Sequence, residues 1–144
     1  MTQQVHTMNR LIRHLGWIVL LGGAIGLAAA ATVHVRLSGA QEVPAIHSTA
    51  RGEGIITVLP NHDLRAEVIV HGINPTMVHI HEGAAGHNGP PIIWLKQAGA
   101  HRWRVPPGTK LTAAEYQAFR AGKLYFNVHS KRDPAGELRG QIKP

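Results

Sequence analysis

Apolar and polar positions alternate in short runs along most of the chain. Residues 32–38 set Val33, Val35 and Leu37 between polar neighbours, the two-residue period of a half-buried strand. Residues 54–59 and 64–70 are two further apolar or alternating runs. Between them stand Pro60, Asn61, His62 and Asp63, all turn formers, so the pair predicts a hairpin. Met77–Glu82, residues 92–95, residues 101–105, Leu124–His129 and Leu138–Ile142 predict more strands, with Gly and Pro at most of the breaks. One stretch departs from the period. Thr112-Ala-Ala-Glu115 is a capping box, Tyr116 and Phe119 follow at helical spacing, and Gly122 offers a stop, which predicts about ten residues of helix. The whole predicts a single all-β domain, a sandwich or barrel with one short helix.

The first residues follow another pattern. Residues 1–14 are polar and carry Arg10, Arg13 and His14, whereas residues 15–31 (LGWIVLLGGAIGLAAAA) hold no charge. A basic start, an apolar stretch and an alanine run fit a secretory signal cleaved after Ala30 or Ala31. The same residues also fit a retained N-terminal hydrophobic helix, because 17 apolar positions reach the short end of the spanning range. Gly22 and Gly26 form a G-x-x-x-G pair that suits helix pairing. On either reading, residues 32–144 are an exported domain, periplasmic or extracellular; on the second, residues 15–31 attach it to the inner membrane.

Composition narrows the chemistry. The 144 residues include eleven histidines and no cysteine. That excludes a disulfide framework, a thiolate zinc site, a cysteine nucleophile and a His₂Cys blue-copper centre. The formal net charge of +7 falls to +5 without residues 1–31, and the basic residues are scattered from Arg36 to Lys143. Nucleic-acid binding needs a concentrated patch, so no nucleic-acid partner is expected. Imidazole is the group left to hold a metal or move a proton.

Residues Val78-His79-Ile80-His81 lie within a strand pattern. Alternation puts His79 and His81 on one face, roughly 6.6–7 Å apart along the strand, with Val78 and Ile80 on the other. Met77 shares the parity of the two histidines. Spacing alone is weak evidence, because eleven histidines in this length produce roughly 0.8 H-x-H pairs by chance. The context adds to it. A glycine-rich loop, residues 82–91, follows directly and can fold back to carry His87 over the same face. Later, Leu124, Phe126 and Val128 share one face of a strand, and Tyr125, Asn127 and His129 share the other. These make His79 and His81, with His87 and His129 able to reach the same face, candidates to hold a metal ion; solvated surface histidines are the competing reading.

Three blocks resemble a known family, the CHRD (chordin-type) domain. They are Leu37-Ser-Gly-Ala-Gln-Glu-Val-Pro44; His79-Ile-His81 with Gly86-x-Asn88-Gly-Pro90; and Gly122-Lys-Leu-Tyr-Phe-Asn-Val-His129 with Gly136-Glu-Leu-Arg-Gly-Gln-Ile142. CHRD domains are in turn similar to the Cu/Zn superoxide dismutase sandwich, which implies a Greek-key β-sandwich. The resemblance also implies a copper set of His79, His81, His87 and His129. It departs from the enzyme pattern in having no cysteine pair and too short and histidine-poor a segment after His87 for a zinc subsite. Arg139 stands where an arginine near copper is implied, at a different separation from His129.

All-imidazole ligation suits Cu(II), with zinc as the second metal. The reading is therefore an exported copper-binding domain used in copper handling or electron-transfer support. The alternatives are a copper-only superoxide dismutase-like enzyme, with Arg139 steering the anion, and a metal-free interaction module. Glu42 and Glu137 read as hydrogen-bonding groups at strand ends, and Trp94, Trp103 and Phe126 as core. The histidines at 34, 47, 62, 71 and 101 read as surface or structural, with His47 and His71 as substitutes should His87 fail.

Overall fold

The computed structural model describes residues 29–144. Nearly all of the apolar segment read above as a signal or anchor lies outside the described residues. Among the described residues, no helix is long and apolar enough to cross a membrane.

Strands β1 (Ala31–Ser38), β2 (Arg51–Val58) and β3 (Leu64–His71) form an antiparallel meander paired along all eight residues of each. The β2–β3 turn uses the expected residues. Asn61 Oδ1 accepts the Asp63 N–H at 3.1 Å, and His62 takes the left-handed conformation at φ 69°. Strand β4 (Met77–Glu82) pairs with β5 (Pro91–Trp94) on one side and β8 (Leu124–His129) on the other. Strand β9 (Leu138–Ile142) pairs with β8 and meets β1 at Ser38 and Arg139. Two short strands, β6 (Lys96–Gln97) and β7 (Arg102–Arg104), extend the sheet beyond β3.

The sheet order is β5-β4-β8-β9-β1-β2-β3-β7-β6. Its two outermost strands, β5 and β6, are separated in the chain by Leu95 alone. One bent stretch thus pairs with β4 at one end and β7 at the other, and Leu95 N–H donates to the Val78 carbonyl at 2.9 Å. The sheet curls into a nearly closed barrel. Among the described residues the elements are strands with one short α-helix, as alternation predicts. Hydrogen bonding runs through one curled sheet, not two separate layers.

One side of every long strand faces a common core: Val35 and Leu37, Ile56 and Val58, Val68 and Val70, Val78 and Ile80, Phe126 and Val128, Leu138 and Ile142. Phe126 leans across to β2, so close that a Cβ on Gly54 would lie 2.7 Å from its ring. Only glycine lets the two walls of the barrel approach this far. Helix α1 (Ala113–Arg120) plugs the barrel with Ala118 and Phe119. Its capping box is formed as predicted: Thr112 Oγ1 accepts from Glu115 N, and Glu115 Oε2 accepts from Thr112 N at 2.7 Å.

The β8 strand is buried on both faces. Its inward face is core. Its outward face, together with those of β4 and β9, is covered by the loops at residues 39–50, 83–90 and 130–137. Polar side chains fill that space.

Candidate metal centre

Strand alternation does the first part of the work. Val78 and Ile80 are drawn into the core, so His79 and His81 are turned to the loop-covered face. His79 pairs across the ladder with Asn127, which makes His129 its diagonal neighbour on β8. The Nδ1 of His79 lies 3.1 Å from the Nε2 of His129. Ring centroids are 5.6 Å apart for His79 and His81, and 6.0 Å apart for His81 and His129. One nitrogen from each of the three rings lies within 4.8 Å of the others.

Two backbone carbonyls decide which nitrogens are available. His81 Nδ1 lies 2.8 Å from the Gly89 carbonyl, and His129 Nδ1 lies 3.0 Å from the Pro134 carbonyl. A carbonyl only accepts, so each Nδ1 is the protonated nitrogen and each Nε2 carries the lone pair. This is the outer-shell arrangement that fixes ligand histidines. The Nε2 of His81 is buried and has no hydrogen-bond partner. A buried polar atom without a partner is costly, and a metal ion at this place would satisfy it.

The electrostatics agree with the geometry. Burial, then repulsion from His129 and His81, pushes His79 down from 6.5 to about 4. Burial also lowers His81 and His129, against the opposing pull of their carbonyl partners. All three rings are therefore neutral at pH 7, the form that ligates metal.

The loops that supply the carbonyls are themselves held. Arg139, 1% exposed, donates to the carbonyls of Ala84 (2.9 Å) and His87 (3.0 Å) and to Asn88 Oδ1 (3.3 Å). Its guanidinium lies 3.6 Å above the Tyr125 ring, which stacks in turn on His81. Gln141 Nε2 donates to the Gly83 carbonyl at 3.0 Å, tying the same loop to β9. Gly89 crosses so close to β4 that a Cβ there would sit 1.6 Å from the Glu82 carbonyl oxygen. On the His129 side, Glu137 is 1% exposed and accepts from Ser48 (2.7 Å), Ser130 (2.5 Å) and Arg132. Ser130 in turn accepts the Asp133 N–H at 3.0 Å, which shapes the turn that presents Pro134.

The structure thus brings together His79, His81 and His129 and leaves His87 outside. The loop does fold back over the face, but its bond to Arg139 is made through the His87 carbonyl, and the His87 side chain is exposed. What the loop delivers to the centre is the carbonyl of Gly89. Arg139 also differs from its expected role. Its guanidinium is buried among loop carbonyls, so it is a fastener and does not face an incoming anion. Trp94 is not core either: it is 53% exposed and stands edge-on to His79 at 5.6 Å. Trp103 and Phe126 are buried as expected. Glu42 bonds Asn127 Nδ2 at 2.7 Å, and burial raises its carboxyl to about 7.

The CHRD domain profile matches residues 33–142, and the chain belongs to the CHRD domain family. No curated protein and no solved structure matches it.

Proposed function

We propose that this chain is an exported CHRD domain that binds one copper ion through His79 Nδ1, His81 Nε2 and His129 Nε2. The observation that carries the reading is the buried, partnerless Nε2 of His81 beside two more neutral imidazoles. Three nitrogen donors without thiolate or carboxylate favour copper over zinc by the Irving–Williams order. When bound, copper would supply a redox-active ion or a transferable cargo. The chain's own part is to hold three neutral rings and to lock two of their tautomers through Gly89 and Pro134.

The strand order, with chain crossings from β3 to β4 and from β7 to β8, supports a Greek-key barrel of the superoxide dismutase type. We favour binding over dismutation, because the guanidinium of Arg139 is committed to loop carbonyls. Residues 1–31 are read as signal or anchor, which would place the domain in the periplasm or outside the cell, with attachment through residues 15–31.

Cu(II) titration of the apoprotein, followed by electron paramagnetic resonance, tests the reading. A single nitrogen-ligated site is expected, lost in His79→Ala and His129→Ala and kept in His87→Ala. Undiminished binding in the first two variants would overturn it.

A further inference from the structure

The three histidines do not exhaust the donors on their face. Met77 begins β4 with the same parity as His79 and His81, and its register partner on β8 is His129. Directly opposed residues on one face of an antiparallel pair have Cβ atoms about 4.5–5.5 Å apart. The backbone is fixed there, because the adjacent Thr76 N–H donates to the His129 carbonyl at 2.8 Å. The side chain, by contrast, is 45% exposed, although the residue is large and apolar. Core packing does not account for Met77. We propose that its thioether is a fourth ligand, selective for oxidation state, which joins His79, His81 and His129 when the centre holds Cu(I). The proposal rests on the copper reading above.

Three considerations carry it. A thioether is a soft donor and selects Cu(I). Methionine is unbranched and has three rotatable bonds, so an exposed side chain can swing onto the ion without disturbing the barrel. The third is electrostatic. The group is three imidazoles, and among the described residues no Asp or Glu belongs to it. A buried cation with only neutral ligands is costly, and less so with one positive charge than with two. The Asn127 amide nitrogen donates to Glu42 and to the Leu138 carbonyl, and the Tyr125 hydroxyl bonds Gly89. Met77, opposite His129 in the register, offers a soft donor on the same face.

The test compares wild type with Met77→Leu, which preserves size and apolarity at an exposed position. Anaerobic competition against a chromophoric Cu(I) chelator should show Cu(I) affinity falling by at least about tenfold, the loss already typical of an outer-shell partner. Cu(II) affinity and its paramagnetic spectrum should stay unchanged. X-ray absorption of the Cu(I) form should contain a sulfur scatterer in wild type and none in Met77→Leu. Nitrogen-only coordination of Cu(I) in wild type, with Cu(II) still bound by the histidines, would overturn the Met77 assignment alone. Failure of wild type to bind either ion would overturn both this and the copper reading.

Discussion

His79 and His129 touch, Nδ1 to Nε2 at 3.1 Å, as diagonal neighbours on antiparallel strands. Since His129 keeps its proton on Nδ1 for Pro134, its Nε2 accepts and His79 Nδ1 donates. Metal binding needs a lone pair on both nitrogens. His79 must therefore move its proton to Nε2. Nitrogen-15 spectra of the imidazoles should show His79 protonated at Nδ1 in the apoprotein and at Nε2 after loading with a diamagnetic ion. His81 and His129 should remain Nδ1-protonated throughout.

Two groups partly or wholly withdrawn from water make stability depend on pH in opposite directions. His79 titrates near 4 in the folded chain against 6.5 ordinarily. The unfolded chain takes up that proton first, so this contribution is complete above pH 6.5 and is lost as pH falls toward 4. Glu42 titrates near 7 against 4.5. The folded chain holds that proton longer, so this contribution is present below pH 4.5 and is lost as pH rises toward 7. Glu42→Gln should thus gain stability relative to wild type as pH rises from 4.5 to 7. Urea midpoints across that range check it, and a constant difference would contradict the assignment.

Gly89→Ala should separate fold from site. The added Cβ would lie 1.6 Å from the Glu82 carbonyl oxygen, so the loop must shift and take its carbonyl away from His81 Nδ1. Losing an outer-shell partner of a ligand typically costs about 10–100-fold in metal affinity. Calorimetric titration with Cu(II) should show a fall of that order, while the far-ultraviolet spectrum keeps its β signature.

Trp94 should report occupancy. It is half-exposed, and its ring centroid is 5.6 Å from that of His79, whereas Trp103 is buried on β7. Paramagnetic Cu(II) should quench a large part of the emission in wild type and much less of it in Trp94→Phe. Zinc should leave the emission nearly unquenched in both.

Gly54→Ala probes the closure of the barrel. Its Cβ would press on the Phe126 ring at 2.7 Å, and overpacking of this kind costs about 1–3 kcal/mol. The double variant with Phe126→Leu should be less destabilised than the sum of the two single variants. Additive losses in denaturant midpoint would argue against the contact.

Much of the scaffold is legible in the order of residues. Period-two alternation identifies the long strands, and Thr112 with Glu115 identifies the helix start. Parity alone turns His79 and His81 to one face and His129 to the outward face of its own strand. These are local properties, set by backbone geometry within a few residues. The CHRD-like blocks extend that reading to the family.

Partnership across the chain is another matter, because it depends on which strands lie side by side. Only the β4–β8 register makes His79 and His129 diagonal neighbours, 50 positions apart in the chain. Only the path of residues 83–90 decides that the loop offers Gly89's carbonyl and leaves His87 in solvent. Arg139 looked available as a charge until burial among carbonyls and against Tyr125 made it a fastener. Alternation fixes the direction of a side chain, but not what lies opposite it. That part of the chemistry was decided by tertiary packing.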